Sequence, residues 1–483
     1  MSVISEAPRR PRHPGWTLAL LAFAQFVIAI DYNIVYVALP EIGRDLEFSG
    51  GSLQWVVSAY AVTLGGFMLL GGRAADLLGR RRVFAAALVL YAVSSLVGGL
   101  AQGPGLLVAV RAVQGLGAAL LFPATLSLVN TMFAEGAERN RALAVWAAMG
   151  GGGLAAGALL GGVLTGVFGW ESTFLVFVLL AVVALAGAFV LLPPDPPRDG
   201  AARRFDLPGA VTATAGITLL VLVPAQGPEW GWTSARVLAA LGAGTALLAV
   251  FAVIEARGRE PLMPPRMFAN PSLVAAMSIT AVFGAGLGAQ YYLLTVYLQD
   301  VLHYGPMRAG LAYLPLTLMN IAGTRVAERL VTRAGPRAAL ASGLLTGAAG
   351  LALLGAAVSP DASFAVVLPG IVVSGLGMGM VWTSMWIAAG SGVAAGEQGV
   401  AAGMASVTHQ TGLAVGTAAM VAVVNAGTAS LGGPALAEEL TGGVGVAYFM
   451  ASAVTLTGVA VTVGTLGRRR RSAARTPAPE TVG

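Results

Sequence analysis

The chain has 483 residues, of which 57% are hydrophobic and only 10% charged, against about 25% charged in soluble domains. That composition excludes a soluble globular protein and points to a chain that crosses a bilayer many times. Cysteine is absent, which excludes disulfides, thiolate metal sites and thiol nucleophiles. All 28 basic residues are arginines in or near short loops, Arg111 excepted, so the basic pI is a topology signal and not a mark of nucleic-acid binding.

Runs near 20 residues, the length that crosses about 30 Å of hydrocarbon, occur at 16–39, 52–72, 83–101, 105–131, 141–166, 171–192, 207–223, 236–256, 271–298, 306–324, 337–357, 363–390, 400–426 and 443–466. They predict an all-α integral membrane protein with 14 transmembrane helices. The two linkers richest in proline and charge divide these as six, two and six. The parts are a tail 1–15, a six-helix bundle 16–192, a linker 193–206, an inserted helix pair 207–256, a linker 257–270, a second six-helix bundle 271–466 and a basic tail 467–483.

An even count puts both termini on one side. Apart from Arg111, which lies deep in a span, only Arg44, Arg236 and Arg308 fall on the opposite side, so the positive-inside rule places the termini in the cytoplasm. The first run is too long for a cleaved signal and lacks an A-x-A site, so it reads as a retained helix. The tails are polar, Pro-rich or basic and are expected to be disordered, with the last arginines anchoring the final helix at the inner leaflet.

"RAVQGLGAALLFP" at 111–123 has an echo in "IVVSGLGMGMVW" at 371–382, and "LLGRRRVF" in "RAGPRAAL". Two related halves facing each other across a cavity form a recurrent transporter plan. The loop "GGRAADLLGRRRVF" holds Gly72, Asp76, Gly79 and Arg80, Arg81 and Arg82 in the pattern G-x-x-x-D-x-x-G-R-R-R. It resembles the cytoplasmic signature of the major facilitator superfamily, in which the glycines permit close helix approach and the acid meets an arginine or a helix amino terminus. A plain positive-inside loop explains the arginines but not the placed acid and glycines.

"LLVAVRAVQGLGAA" resembles the fourth-span motif of that family, with Arg111 inside the membrane and Gln114 on its face. "GLAAGALLGG" resembles the fifth-span antiporter motif through Gly153, Gly157, Gly161 and Gly162, with Ala158 where the family usually has proline. That replacement questions any bend that needs a missing N–H. "IDYNIVYVALP" is similar to the first-span motif of the fourteen-span drug:proton antiporters of the EmrB/QacA type, with Asn33 and Tyr36 departing from it. "FDLPG", "PEWGW" and "YLQDVLHYGPMRAGLAYLP" follow in the order of that family.

The resemblance implies proton-coupled efflux of small hydrophobic or cationic compounds across the cytoplasmic membrane. The chain would be a monomer with no cofactor and no enzymatic activity, driven by the proton gradient, with protons, a small molecule and the lipid bilayer as its partners. It also implies that Asp31 faces the central cavity, where water and Arg111 stabilise its charge. An intramembrane acid defaults to function because burying it costs about 2.5–3.5 kcal/mol on insertion scales; a structural carboxylate capping a neighbouring helix is the other reading.

His409, before Gln410, stands near a position where the family often has arginine. It is either a proton relay or a hydrogen-bonded interhelical histidine. Gln25, Tyr32, Gln114, Gln290, Tyr292, Asn320, Trp382, Trp386 and Gln410 are the polar or aromatic candidates for substrate contact. Trp382 and Trp386 share a face, either as an aromatic wall or as packing between neighbours. A metabolite uniporter or importer on the same fold, and a non-transporting receptor, are the rival readings; no nucleotide loop, zinc spacing or nucleophile motif favours an enzyme.

Overall fold

A computed structural model describes residues 11–48, 52–195, 206–258, 261, 263–426 and 433–466. The terminal tails and most of the 193–206 linker lie outside the described residues. So do the side chains of Tyr32 and Ala158. All regular structure among the described residues is helical. The first six helices are α1 (Pro14–Asp45), α2 (Trp55–Leu78), α3 (Arg80–Gly99), α4 (Pro104–Met132), α5 (Ala137–Phe168) and α6 (Ser172–Leu191). An inserted hairpin follows, α7 (Leu207–Trp230) and α8 (Ala235–Arg257). The later helices are α9 (Pro271–Phe283), α10 (Gln290–Val296), α11 (Pro306–Ala312), α12 (Leu314–Ala334), α13 (Pro336–Ala357), α14 (Phe364–Gly390), α15 (Gln398–Val424) and α16 (Gly433–Leu466).

Local signals set the starts. Proline opens α1, α4, α9 and α13, where its missing N–H costs nothing. Asp206 caps α7 by accepting the Gly209 N–H at 2.9 Å, Ser234 caps α8, and Asn270 caps α9 through the Ser272 N–H at 3.0 Å. Gly79, at φ +101°, makes the turn from α2 into α3, and a Cβ there would run into the Asp195 carboxylate. α9 runs on through two π turns, Gly284–Gly288 and Tyr297–Val301, to give a 31-residue span.

Among the described residues 11 helices are long and apolar enough to cross a membrane, or 12 when α5 counts as one span. The two expected spans that fall short do so for visible reasons. The apolar stretch of α7 is only Pro208–Val223. The run at 306–324 is not one helix: it breaks into α11 and α12, and α12 extends to Ala334 through Arg325, Glu328, Arg329 and Arg333. In α5 the axis turns by 44° between Ala137–Leu154 and Leu159–Phe168, so the bend is present without the proline. Gly150 to Gly153 and Gly157 supply the compliance there.

α1 packs along α5, α2 along α4, α3 along α4 and α6, while α12 and α13 pack on α14 and α13 on α16. The first six helices meet the later ones along two seams, α2 against α15 and α5 against α12. Close approach at both seams needs glycine. A Cβ at Gly72 would strike the Gly399 carbonyl, one at Gly403 would lie 2.9 Å from the Met68 carbonyl, and one at Gly151 would lie 2.7 Å from the Asn320 side chain. The hairpin lies over only the first seam, with α7 on α2 and α15; Thr218 sits against Gly66, Gln54 donates to Gln226 at 3.3 Å, and the Trp55 and Trp230 rings are 6.4 Å apart.

Candidate functional site: a buried ion pair beside an aromatic seam

The acid of the first helix meets the arginine of the fourth. Arg111 Nη1 donates to Asp31 Oδ1 at 2.7 Å, and both side chains are buried, 1% and 0% exposed. Tyr91 on α3 donates its hydroxyl to Asp31 Oδ2 at 3.1 Å and lies 3.2 Å from the Tyr60 hydroxyl. The guanidinium also donates to the Val56 carbonyl at 3.0 Å and to Gln114 Oε1 at 2.9 Å, and it stacks 4.3 Å from the centroid of the Tyr60 ring. Gln114 in turn donates to Ser95 at 2.9 Å.

This corrects one expectation. Asp31 does not open onto the space between the halves: its described partners come from α3 and α4, inside the first six helices, where Arg111 balances its charge as expected and the Tyr91 phenol hydrogen-bonds to it. A buried charge is tolerable only when it is paired and hydrogen-bonded, and both conditions are met.

The glycine stripe of α5 grips the same stretch of α1. A Cβ at Gly153 would lie 2.8 Å from the Phe26 carbonyl, one at Gly157 2.7 Å from that of Ile30, and one at Gly161 2.7 Å from that of Ile34. Asn33 donates to the Leu154 carbonyl at 2.9 Å. The turn of α1 that carries Asp31 is therefore held backbone to backbone by the bent helix, while a Cβ at Gly162 would lie 4.0 Å from Val37, an ordinary contact.

The signature loop ties the ends of the two halves. Asp76 accepts the Gly399 and Val400 N–H groups at 3.1 and 2.9 Å, so it caps the amino terminus of α15 from across the seam. Arg80 donates to Asp76 at 2.9 Å, to Ser127 at 2.5 Å and to the Ala395 carbonyl. Arg81 and Arg82 present their backbone N–H groups to Asp195 at 3.1 and 3.0 Å, and the Arg81 guanidinium lies over the Phe189 ring.

At the level of α4, α5, α14 and α15 an aromatic cluster bridges the halves. Trp146 and Phe122 come from one side, Trp382, Trp386, His409 and Phe283 from the other. Ring centroids are 5.2 Å apart for Phe122 and Trp146, 5.3 Å for Phe122 and Trp386, 6.2 Å for Trp146 and Trp386, 5.5 Å for Trp382 and Trp386, and 5.3 Å for Trp382 and His409. His409 Nδ1 lies 3.1 Å from Gln410 Oε1, and Gln410 reaches towards Gly65 on α2. Gln25 and Asn320 flank Gly150 and Gly151 of α5. Gln290 and Tyr292 do not join this cluster: Gln290 donates to Ser374 of α14 at 2.7 Å, and Tyr292 packs half-buried beside the core.

The family model described as the Major Facilitator Superfamily matches residues 21–417, most of the chain and both sets of helices just described. The chain belongs to the major facilitator superfamily. It is therefore a membrane transporter and not an enzyme. It is 38% identical to the puromycin resistance protein pur8 of Streptomyces alboniger, across 88% of this chain and 83% of that one. It is 39% identical to the cephamycin export protein CmcT of Amycolatopsis lactamdurans, across 92% and 91%. The human organic anion transporter MFSD10 (TETRAN) shares the fold at a TM-score of 0.68, with 16% identity over 93% of this chain and 99% of that one.

Within this superfamily member, the sequence pointed to Asp31, Arg111 and Gln114 but missed Tyr91, Tyr60 and Ser95, which complete their network. Hydroxyls and phenols inside otherwise apolar runs, as in "VLYAVSS", were the available signal. Trp146 and Asp195 were missed too, the first in an apolar run and the second in a linker read only for its composition.

Proposed function

We propose that this transporter exports antibiotics or similar toxic, largely apolar small molecules across the cytoplasmic membrane in exchange for protons. We place it in the fourteen-span EmrB/QacA type, built as six helices, an inserted pair and six helices, monomeric, with both termini cytoplasmic. The single observation that carries proton coupling is the Asp31–Arg111 pair at 2.7 Å in a fully buried site. A proton on Asp31 removes the charge that balances Arg111, and an unbalanced buried charge costs several kcal/mol unless the surroundings rearrange. The rearrangement falls on α1 and α4, and through the glycine stripe on α5, which forms a seam with α12. Protonation thus bears on the packing that alternating access must change. Each charge crossing is worth about 2.3 kcal/mol per 100 mV. The relatives named for cephamycin export and puromycin resistance support export as the direction. Trp382, Trp386, His409, Gln25 and Asn320, which line or flank the seam, are the proposed substrate contacts.

The test uses inverted membrane vesicles with a fluorescent apolar substrate supplied in the outer medium. Wild-type vesicles should accumulate it only when a pH gradient is imposed, and Asp31→Asn vesicles should not respond to the gradient. Gradient-driven transport at the wild-type rate in Asp31→Asn would sink the coupling. Equal transport with and without the gradient in the wild type would replace it with a uniporter.

A further inference from the structure

The inserted hairpin covers one of the two seams between the halves, α2 against α15, while the other, α5 against α12, keeps an exposed outer face. The two helices run antiparallel there. Asn140 donates to Thr332 at 3.2 Å and Gly151 lies against Asn320, so the exposed Arg141 of α5 stands level with Val331 of α12. One face of α12 changes character midway along this seam. Leu318, 64% exposed, belongs to its apolar first half; Arg325, Arg329 and Arg333 follow after seven, four and four residues, all exposed. Those spacings keep the four side chains on one side of the helix.

Positive-inside topology explains arginines in a loop but not this column. Arg325 stands nine residues before the end of α12, roughly 14 Å at the helical rise, and the three arginines span roughly 12 Å. Acids do not offset them. Among the described residues Glu328 alone meets one, 4.0 Å from Arg325, while Arg329, Arg333 and Arg141 form no ion pair, with Glu138 of α5 or any other acid. Like charges four residues apart on a helix repel, and a phosphate bound by two guanidinium forks relieves that repulsion. Leu318 lies seven residues further in than Arg325, roughly 10 Å. Basic side chains with apolar surface running inwards from them are the complement of a phospholipid. Because several arginines lack a partner, a head group without an ammonium of its own suits them best.

We propose that this face binds an anionic phospholipid from the leaflet at the arginine end. Arg325 and Arg329 of one half and Arg141 of the other hold its head group, and an acyl chain lies over Leu318. The lipid does for the α5–α12 seam what the hairpin does for the α2–α15 seam: it covers the joint and touches both halves. The site is separate from the ion pair and from the aromatic cluster.

The experiment uses the full chain, which has no native cysteine, with bimane attached at Leu318→Cys, in nanodiscs of phosphatidylcholine. Phosphatidylglycerol or phosphatidylcholine carrying the same nitroxide-labelled chain is titrated in as the quencher. Phosphatidylglycerol should reach half-maximal quenching at a mole fraction at least tenfold lower than phosphatidylcholine does. Bimane at Leu179→Cys, exposed on α6, should show no preference between them. Arg325→Gln combined with Arg329→Gln should bring the preference at Leu318→Cys to parity. Arg141→Gln alone should lower it about fivefold, the worth of one basic side chain beside an anionic surface, and carries the test should the double variant fold poorly. Equal quenching by the two lipids at Leu318→Cys with every arginine in place would make the column a plain anchor for any bilayer and overturn the proposal. So would an undiminished preference for phosphatidylglycerol in both arginine variants. Neither gradient nor substrate is present, so this result is independent of whether export is proton-coupled.

Discussion

The polar core inside the first six helices and the aromatic cluster between the halves are built on opposite terms. In the polar core a chain of hydrogen bonds runs from Tyr91 through Asp31, Arg111 and Gln114 to Ser95, with both charges of the pair partnered. At the seam the indole N–H groups of Trp146, Trp382 and Trp386 and the side-chain amide oxygens of Gln25 and Asn320 are buried and find no hydrogen-bond partner among the described residues. Unmet buried donors and acceptors are uncommon in native structures, and each costs about 1–3 kcal/mol. The difference separates two tasks. A fully bonded network holds one charge state in one geometry, while a surface of large rings with unmet polar edges gains when something polar and flat is brought against it. The first suits proton handling and the second suits contact with changing partners.

The sharpest way to break this comparison is to remove one charge of the core. Arg111→Ala takes from the buried Asp31 carboxyl its cationic partner and should destabilise the protein by about 3–5 kcal/mol, lowering its thermal unfolding temperature in detergent more than any seam substitution that keeps an aromatic ring. The double variant Asp31→Asn, Arg111→Gln removes both charges and should recover most of that stability while remaining unable to use a pH gradient. A single variant as stable as the wild type would mean that water reaches Asp31 and that the core is not the closed device described.

The next largest effect falls where the halves are tied. Asp76→Ala removes the cap on α15, two hydrogen bonds that exist only while the two arginine-rich ends are together, and one of the acceptors that orient Arg80 within the loop. At about 1–3 kcal/mol for groups left unmet, separation of those ends should become about tenfold more frequent. The chain has no native cysteine, so Asn130→Cys, beside Gly390 at that end, reports it directly: maleimide labelling should accelerate by about the same factor in the Asp76→Ala background. An unchanged labelling rate would show that Asp76 merely orders its own loop.

What the sequence made legible follows the same division. Charges inside a membrane are so costly that Asp31 and Arg111 announced themselves, and four-residue glycine spacing identified the face of α5 that seats α1. Aromatic residues carry no such cost, so Trp146 and Tyr91 looked like any other members of apolar runs, and spacing alone did not say that Gln290 turns to Ser374 while Asn320 turns to α5. Hydropathy averages over residues and does not see helix boundaries; hence the run at 306–324 straddles two helices, and the polar second half of α12 lay outside it. The bend of α5 was put in doubt by Ala158 because proline is the familiar cause, yet a cluster of consecutive glycines serves as well.

Substitutions within the seam should have smaller and more selective effects. Trp382 is half-buried and contacts Phe283, Trp386 and His409, so Trp382→Ala should raise the concentration needed for half-maximal export of ring-containing substrates by about tenfold, the value of one good aromatic contact, without changing dependence on the pH gradient. His409 should matter least. Its contacts among the described residues are three aromatic rings and the neighbouring Gln410 amide, with no carboxylate, the surroundings that the packed, hydrogen-bonded reading of this histidine requires. His409→Gln keeps a hydrogen-bonding side chain and should lower export less than about threefold, with the pH profile unmoved; a displaced profile would put the imidazole on the proton's route and join the two regions that the geometry keeps apart.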